Sequence, residues 1–220
     1  AGGATPLGRA PQVVLSLDAN FMMEGPGQIR YQRDWADARD ADGNGGTMSR
    51  LYMAESAPTV TGANADHKIN VRYPDVEILA RAVAARLGVA GVTAPSEAPV
   101  PQQWLDAVVG DLQAGGARSL VIAGSQQPPV VHVLAHALNQ ALGSTGEGGV
   151  VRHIASPEVE PVDQLASMNQ LIADMNAGLV KVLVMLEGNP VFNTPADLDF
   201  AGALAQVPVR VHLSDRANET

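Results

Sequence analysis

Between Pro101 and Leu213 the sequence alternates short apolar runs with longer amphipathic stretches at near-regular spacing. Ser119–Ala123, Val150–Ile154, Val180–Leu186 and Val209–Leu213 are rich in Val, Ile and Leu, and each reads as a buried strand. Between them the apolar period becomes helical, over Pro101–Gln113, Pro128–Leu142, Val162–Asn176 and, more briefly, Ala196–Gln206. Strand, helix, strand, helix in this order restricts the chain to parallel strands joined by right-handed crossovers. Upstream, Val13–Asp18 and Arg50–Glu55 read as further strands, and a polar helix is expected over Gln28–Arg39 after the break Gly25-Pro26-Gly27. Pro74 opens a helix whose Val76, Leu79, Ala80, Val83 and Leu87 share one face and which Gly88 ends. Ser56–Asn70 reads as irregular, and Ala90–Pro101 as a Pro-rich connection. The expected fold class is α/β: a three-layer, mostly parallel, Rossmann-like sheet with helices on both faces.

Composition fits such a core. Of the 220 residues 46% are hydrophobic but only 4% aromatic, so the interior is built from small and branched side chains. The Gly/Pro-rich stretch 1–11 reads as a flexible linker, and 12–220 as a single soluble α/β domain. The sequence does not open on Met and is expected to be part of a longer chain. A net charge of −9 repels phosphate backbones and anionic lipid, which argues against nucleic-acid partners and a basic membrane-docking patch. No apolar run approaches the roughly 20 residues of a membrane helix, so direct membrane insertion is not expected. The chain has no cysteine, which removes disulfides, thiolate nucleophiles, Cys-ligated zinc and Cys-ligated iron–sulfur clusters.

In open α/β sheets ligands sit beyond the carboxyl ends of the strands. Asp18–Gly27, Gly124–Pro129, Glu187–Thr194 and the segment from Ser214 onward occupy that place here. Gly124, Ser125 and Gln126 lead from a strand into a helix, where free N–H groups attract anions, but Pro128 and Pro129 remove two donors. Neither a P-loop nor GxGxxG is present. A plain strand–helix turn and a ligand loop both remain open. Gly188, Asn189 and Pro190 follow the next strand as a structural turn or as a contact for a nucleotide or pterin edge. His132 and His136 share a helix face, half of a HExxH zinc motif, but Val133 stands where the catalytic Glu would be. The loop Asp40–Gly46 has calcium-loop composition without calcium-loop spacing. Asp18, Asp215 and Glu219 are candidates to converge at the sheet edge, with helix capping and turn formation as the alternative. No Ser/His/Asp set and no GxSxG elbow is readable, so no catalytic residue is assigned.

The segment VKVLVMLEGNPVFNTPADLDFAGALAQVPVRVHLSDRANET, with Gly188-Asn189-Pro190, Asp215 and Glu219-Thr220, resembles the molybdopterin oxidoreductase superfamily. There a strand runs into a G-N-P turn and a later strand into an acid and an E-T pair. AGSQQPPVVHVLAHALNQALGSTGEGG looks like the family's other cofactor-side loop and helix. VVLSLDANFMMEGPGQIRYQRDWADAR and RLYMAESAPTVTGANADHKINVR bring the likeness closest to the large iron–sulfur subunit of alternative complex III, over about Val13–Thr220. The resemblance implies a respiratory, quinol-oxidising electron-transfer assembly on the periplasmic face of a bacterial inner membrane. Its partners would be the other subunits of that membrane-bound complex and the cluster-binding half of the same chain, expected beyond Thr220. It further implies a non-catalytic scaffold with no cofactor in this segment, the iron–sulfur clusters lying elsewhere. The alternative it leaves open is the pterin-guanine-dinucleotide-binding domain of an active enzyme. Gly124, Ser125, Gln126, Gly188, Asn189, Pro190 and Asp215 would then contact molybdopterin.

Overall fold

Two adjacent five- and six-residue strands, β1 (Val13–Leu17) and β2 (Arg50–Glu55), carry the larger part of the molecule. Every residue of β1 is buried, and so is every residue of β2 after Arg50. Strands buried on both faces are the mark of a parallel sheet covered by helices. The computed structural model describes residues 10–25, 27–43, 45–153 and 161–220. Most of the expected linker (1–9), Pro26 of the break, Asn44 of the Asp40–Gly46 loop and Ile154 lie outside them. Ala10 and Pro11 are held to the sheet, their carbonyls accepting from Arg118 and Ser49. The chain divides at Ile154/Ala155 into two compact units. The expected extent 12–220 thus holds two separately compact α/β parts, taken in turn below.

In the first unit the sheet order is β3-β2-β1-β4, all parallel, with β3 at His67–Asn70 and β4 at Ser119–Ala123. Helices α3 (Asp75–Arg86), α4 (Gln102–Gly115) and α5 (Pro129–Ala141) pack one face. Val76, Leu79, Val83, Leu105, Val108, Leu112, Leu134 and Leu138 meet Leu15, Leu17, Tyr52 and Val121 there. The other face carries Val14 and Leu51 against Met22 and Trp35. Trp35 is the buried residue of the otherwise polar α1 (Gln28–Ala38). The α/β class and the parallel sheet flanked by helices agree with the sequence reading.

Two segments differ from it. Ser56–Asn70, expected to be irregular, contains a one-turn helix α2 (Val60–Ala63) and the edge strand β3. HKIN has a single apolar residue, so β3 has no periodicity to read; its order comes from pairing with Tyr52–Glu55. Val150–Ile154, expected to be a strand, forms none over residues 150–153. Only two β-branched residues stand there between Gly149 and Arg152, and Val151 N–H instead closes a turn on Ser144 O at 2.9 Å. The outer edge of β4 is occupied by a side chain: Asn139 of α5 accepts from Val121 N–H at 2.8 Å and donates to Val121 O at 2.7 Å. Its carboxamide stands in for a neighbouring strand.

The second unit has a two-stranded parallel sheet, β5 (Val182–Leu186) and β6 (Val209–Leu213), with α6 (Gln164–Asn176), α7 (Pro190–Asn193) and α8 (Phe200–Ala205). Asp163 caps α6 and Asp199 caps α8, each accepting a backbone N–H three residues on. Ile172, Met175, Phe200, Leu204 and Val207 form its core, on which Leu183 and Met185 rest. Within this unit, among the described residues, the opposite face of the sheet is uncovered: Val182, Val184 and Leu186 lie beside Val209, Val211 and Leu213, all exposed. Among the described residues no helix is long and apolar enough to cross a membrane.

Candidate functional site

The order β3-β2-β1-β4 places the chain's reversal between β1 and β4, and in open sheets the ligand crevice forms there, beyond the carboxyl ends. β1 runs into Asp18, a buried, non-glycine residue at φ 60°. A left-handed backbone at such a residue costs on the order of 1 kcal/mol and needs surroundings that enforce it. Here the enforcement is a set of hydrogen bonds. The Asp18 N–H donates to Ala54 O at 2.7 Å. Its carboxylate accepts from Ser56 N–H and Ser56 O–H, both at 2.8 Å, and from Gln127 Nε2 at 2.9 Å. Its carbonyl accepts from Gln126 Nε2 at 2.7 Å.

The Gly124–Gln127 loop therefore folds inward. Gly124 N–H bonds Leu17 O at 2.9 Å, and a Cβ at Gly124 would collide with the Asp18 carbonyl. The glycine serves a close approach of backbone to backbone. Gln126 O accepts from the Tyr73 hydroxyl at 2.6 Å, which fastens the loop from outside. Gln127 is buried, with Oε1 unpartnered among the described residues, and Ser125 is exposed. Sequence reasoning placed Gly124, Ser125 and Gln126 at the crevice but assigned no role to Gln127 or Ser56.

A second buried acid stands at the end of β2. The Glu55 carboxylate accepts from Thr59 N–H (3.1 Å) and Thr59 O–H (2.8 Å), and its other oxygen lies 3.0 Å from Lys68 Nζ. Gly62 backs against it, where any side chain would strike the carboxylate. Asn20 Oδ1 accepts from Thr61 N–H and O–H, and Thr61 Oγ1 accepts from Met22 N–H. The stretch read as irregular is thus ordered by two acids and an amide. Glu55 was missed because an acid at a strand end carries no signal apart from its partners. Low on β2, Tyr52 donates to Asp111 at 2.6 Å, Arg50 pairs with the same carboxylate, and the Tyr52 ring stacks on His67 and meets Trp104 edge-on. Burial and the Asp111 bond push the Tyr52 hydroxyl up to about 12. Burial alone would raise Asp111, but the Tyr52 and Arg50 donors hold it below the usual carboxylate range.

In the second unit β5 ends on two successive left-handed residues, Glu187 (φ 57°) and Gly188 (φ 70°). Asn189 then binds the chain's last residues. Its Nδ2 donates to Glu219 at 2.6 Å, and its Oδ1 accepts from Thr220 O–H (2.8 Å) and Thr220 N–H (3.2 Å). Val191 N–H, in the turn that Pro190 opens, donates to Thr220 Oγ1 at 3.1 Å. The two short motifs picked out at positions 188–190 and 219–220 are therefore one hydrogen-bonded unit. The Asn189 amide holds the Glu219 carboxyl below its usual range. Asp215 stands apart: it is exposed, pairs with its neighbour Arg216, and is lowered by that pairing. Asp18, Asp215 and Glu219 thus each have different partners. An open groove of about 390 Å³ runs beside this turn, lined by Leu165, Met168, Gly188, Asn189, Pro190 and Thr194 among others.

His132 and His136 lie one turn apart on α5, and the His136 ring sits 5.6 Å from that of His153. Among the described residues no group of three or more His, Asp or Glu is placed to hold a metal ion. In the Asp40–Gly46 loop, Asp40 accepts from Gly43 N–H and makes a local turn. Compared with known proteins, the chain matches no family model, and no curated protein is significantly similar to it.

Proposed function

We propose that this chain is the molybdopterin-oxidoreductase-like part of a large iron–sulfur subunit in a bacterial respiratory complex that oxidises quinol, of the alternative complex III type. In this reading it is a scaffold on the periplasmic face of the inner membrane. It docks the other subunits, while electrons pass through clusters held elsewhere. One observation carries the scaffold reading: the crevice between β1 and β4 is closed by the chain's own side chains. Seating a pterin guanine dinucleotide against Gly124, Ser125 and Gln126 would require Gln126 to leave the Asp18 carbonyl and Gln127 to leave its carboxylate. That would take one donor from the buried Asp18 carboxylate and one from its carbonyl, at about 1–3 kcal/mol for each lost partner. The residues as placed do not fit the group there. The absence of cysteine likewise leaves a cluster no thiolate in this segment.

The groove beside Gly188-Asn189-Pro190 favours a second reading, a pterin-guanine-dinucleotide-binding domain of an active molybdopterin oxidoreductase. Purification from a molybdenum-competent host separates the two. The scaffold is expected to carry molybdenum far below one atom per chain and no oxidised-pterin fluorescence. Stoichiometric molybdenum, or a saturable GMP-induced thermal shift that Asn189→Ala abolishes, would establish the second reading instead.

A further inference from the structure

The bare side of the β5–β6 sheet carries three cross-strand rows, Val182/Val209, Val184/Val211 and Leu186/Leu213, whose side chains are between 45 and 73% exposed. No polar or charged residue interrupts them. Parallel strands are ordinarily covered on both faces, and the uninterrupted apolar run VLVML in β5 is the composition of such a strand. Only Leu183 and Met185, on the other face, have a core to rest on.

We propose that this face is an interface between two copies of the chain, packed sheet on sheet. Six aliphatic side chains exposed to this degree present roughly 500 Å² per copy, so a pair would bury about 1,000 Å², the lower bound for a specific protein interface. Two copies present the same apolar patch to each other, as an isologous twofold contact requires. With the strands of the two copies running oppositely, the Leu186/Leu213 row of one meets the Val182/Val209 row of the other, large against small, at the ordinary sheet spacing of about 10 Å. The face offers no hydrogen-bonding group by which a different polar partner would be selected. The inference does not depend on the family reading above. The net charge of −9 sets its signature: copies repel through charge and attract through apolar area, so association tightens as salt rises.

Sedimentation equilibrium of the full chain, from about 1 to about 100 µM and at both about 50 and about 500 mM salt, tests this. The weight-average mass is expected to climb from 22.8 kDa toward twice that value and stop there, at lower protein concentration in high salt. Val184→Lys, in the centre of the face, is expected to hold the chain monomeric throughout. Val211→Thr, which keeps the side-chain shape and needs no refolding, should weaken association about tenfold. Val133→Lys, exposed on α5, should change nothing. A wild-type chain that stays monomeric, grows past two copies without a plateau, weakens with salt, or associates unchanged with Val211→Thr would overturn the proposal.

Discussion

The two sheets share parallel pairing and differ in cover. β1 and β2 lie between helix layers, whereas β5 and β6 pack on one side only. Their sequences do not announce this difference. VVLSL, with its one serine, is no more apolar than VLVML, and both read as doubly buried strands. Burial of the second face depends on whether another layer reaches it, which no residue within the strand decides. The sheets also differ at their carboxyl ends. Asp18 holds the first crevice shut with side chains from three segments, whereas Asn189 closes only its own turn and leaves a groove alongside.

The contrast is most sharply broken by core truncation. Leu17→Ala, fully buried between layers, should cost about 2–5 kcal/mol in urea unfolding. Val184→Thr, on the bare face, should stay within about 0.5 kcal/mol when measured at dilute, monomeric protein. Equal losses would mean that the face is already covered within one chain. Next in size, Asp18→Ala should cost about 2–4 kcal/mol by leaving the Gln127 and Ser56 donors without their acceptor. It should also open the crevice between β1 and β4, seen as faster amide exchange at Gly124 and Ser56. Unchanged protection there would sink the view that Asp18 fastens the loop.

Smaller effects follow from pH. The Tyr52 hydroxyl is raised to about 12 from 10.0, so the neutral form favours the fold; that contribution is whole below pH 10 and fades as pH rises toward about 12. Tyr52→Phe should remove this alkaline limb from the stability profile. Asp111 is depressed, so its contribution is present at neutral pH and lost as pH falls through its lowered value; Asp111→Asn should flatten the acid limb. Smallest of all, Asn189→Ala should cost about 1 kcal/mol and loosen only residues 188–191 and 218–220, leaving exchange in the first unit unchanged.

Much of the fold was legible. Ser119–Ala123 and Arg50–Glu55 were read to the residue because short apolar runs between turn residues have few alternatives. The helix after Pro74 was equally plain from its apolar period and its Pro and acids. β3 was not, since an edge strand of polar residues borrows its order from its neighbour. Nor was the failure of Val150–Val151 to pair, since a sequence does not show whether a sheet has an edge to offer. Of the candidate site, Gly124, Gln126, Gly188 and Asn189 were singled out as loop residues at strand ends. Gln127 and Ser56 were not, because their hydrogen bonds to Asp18 span 109 and 38 positions and leave no local trace.

The sequence by itself determined what periodicity and backbone chemistry determine: which of the strongly periodic segments are strands and helices, that the strands run parallel, and where the chain must turn. Only the tertiary structure decided which strands share a sheet, which acids are buried and which apolar face is left uncovered within its own unit. Those outcomes depend on contacts between distant segments, whose free energy is spread over many weak interactions that no short stretch of residues encodes.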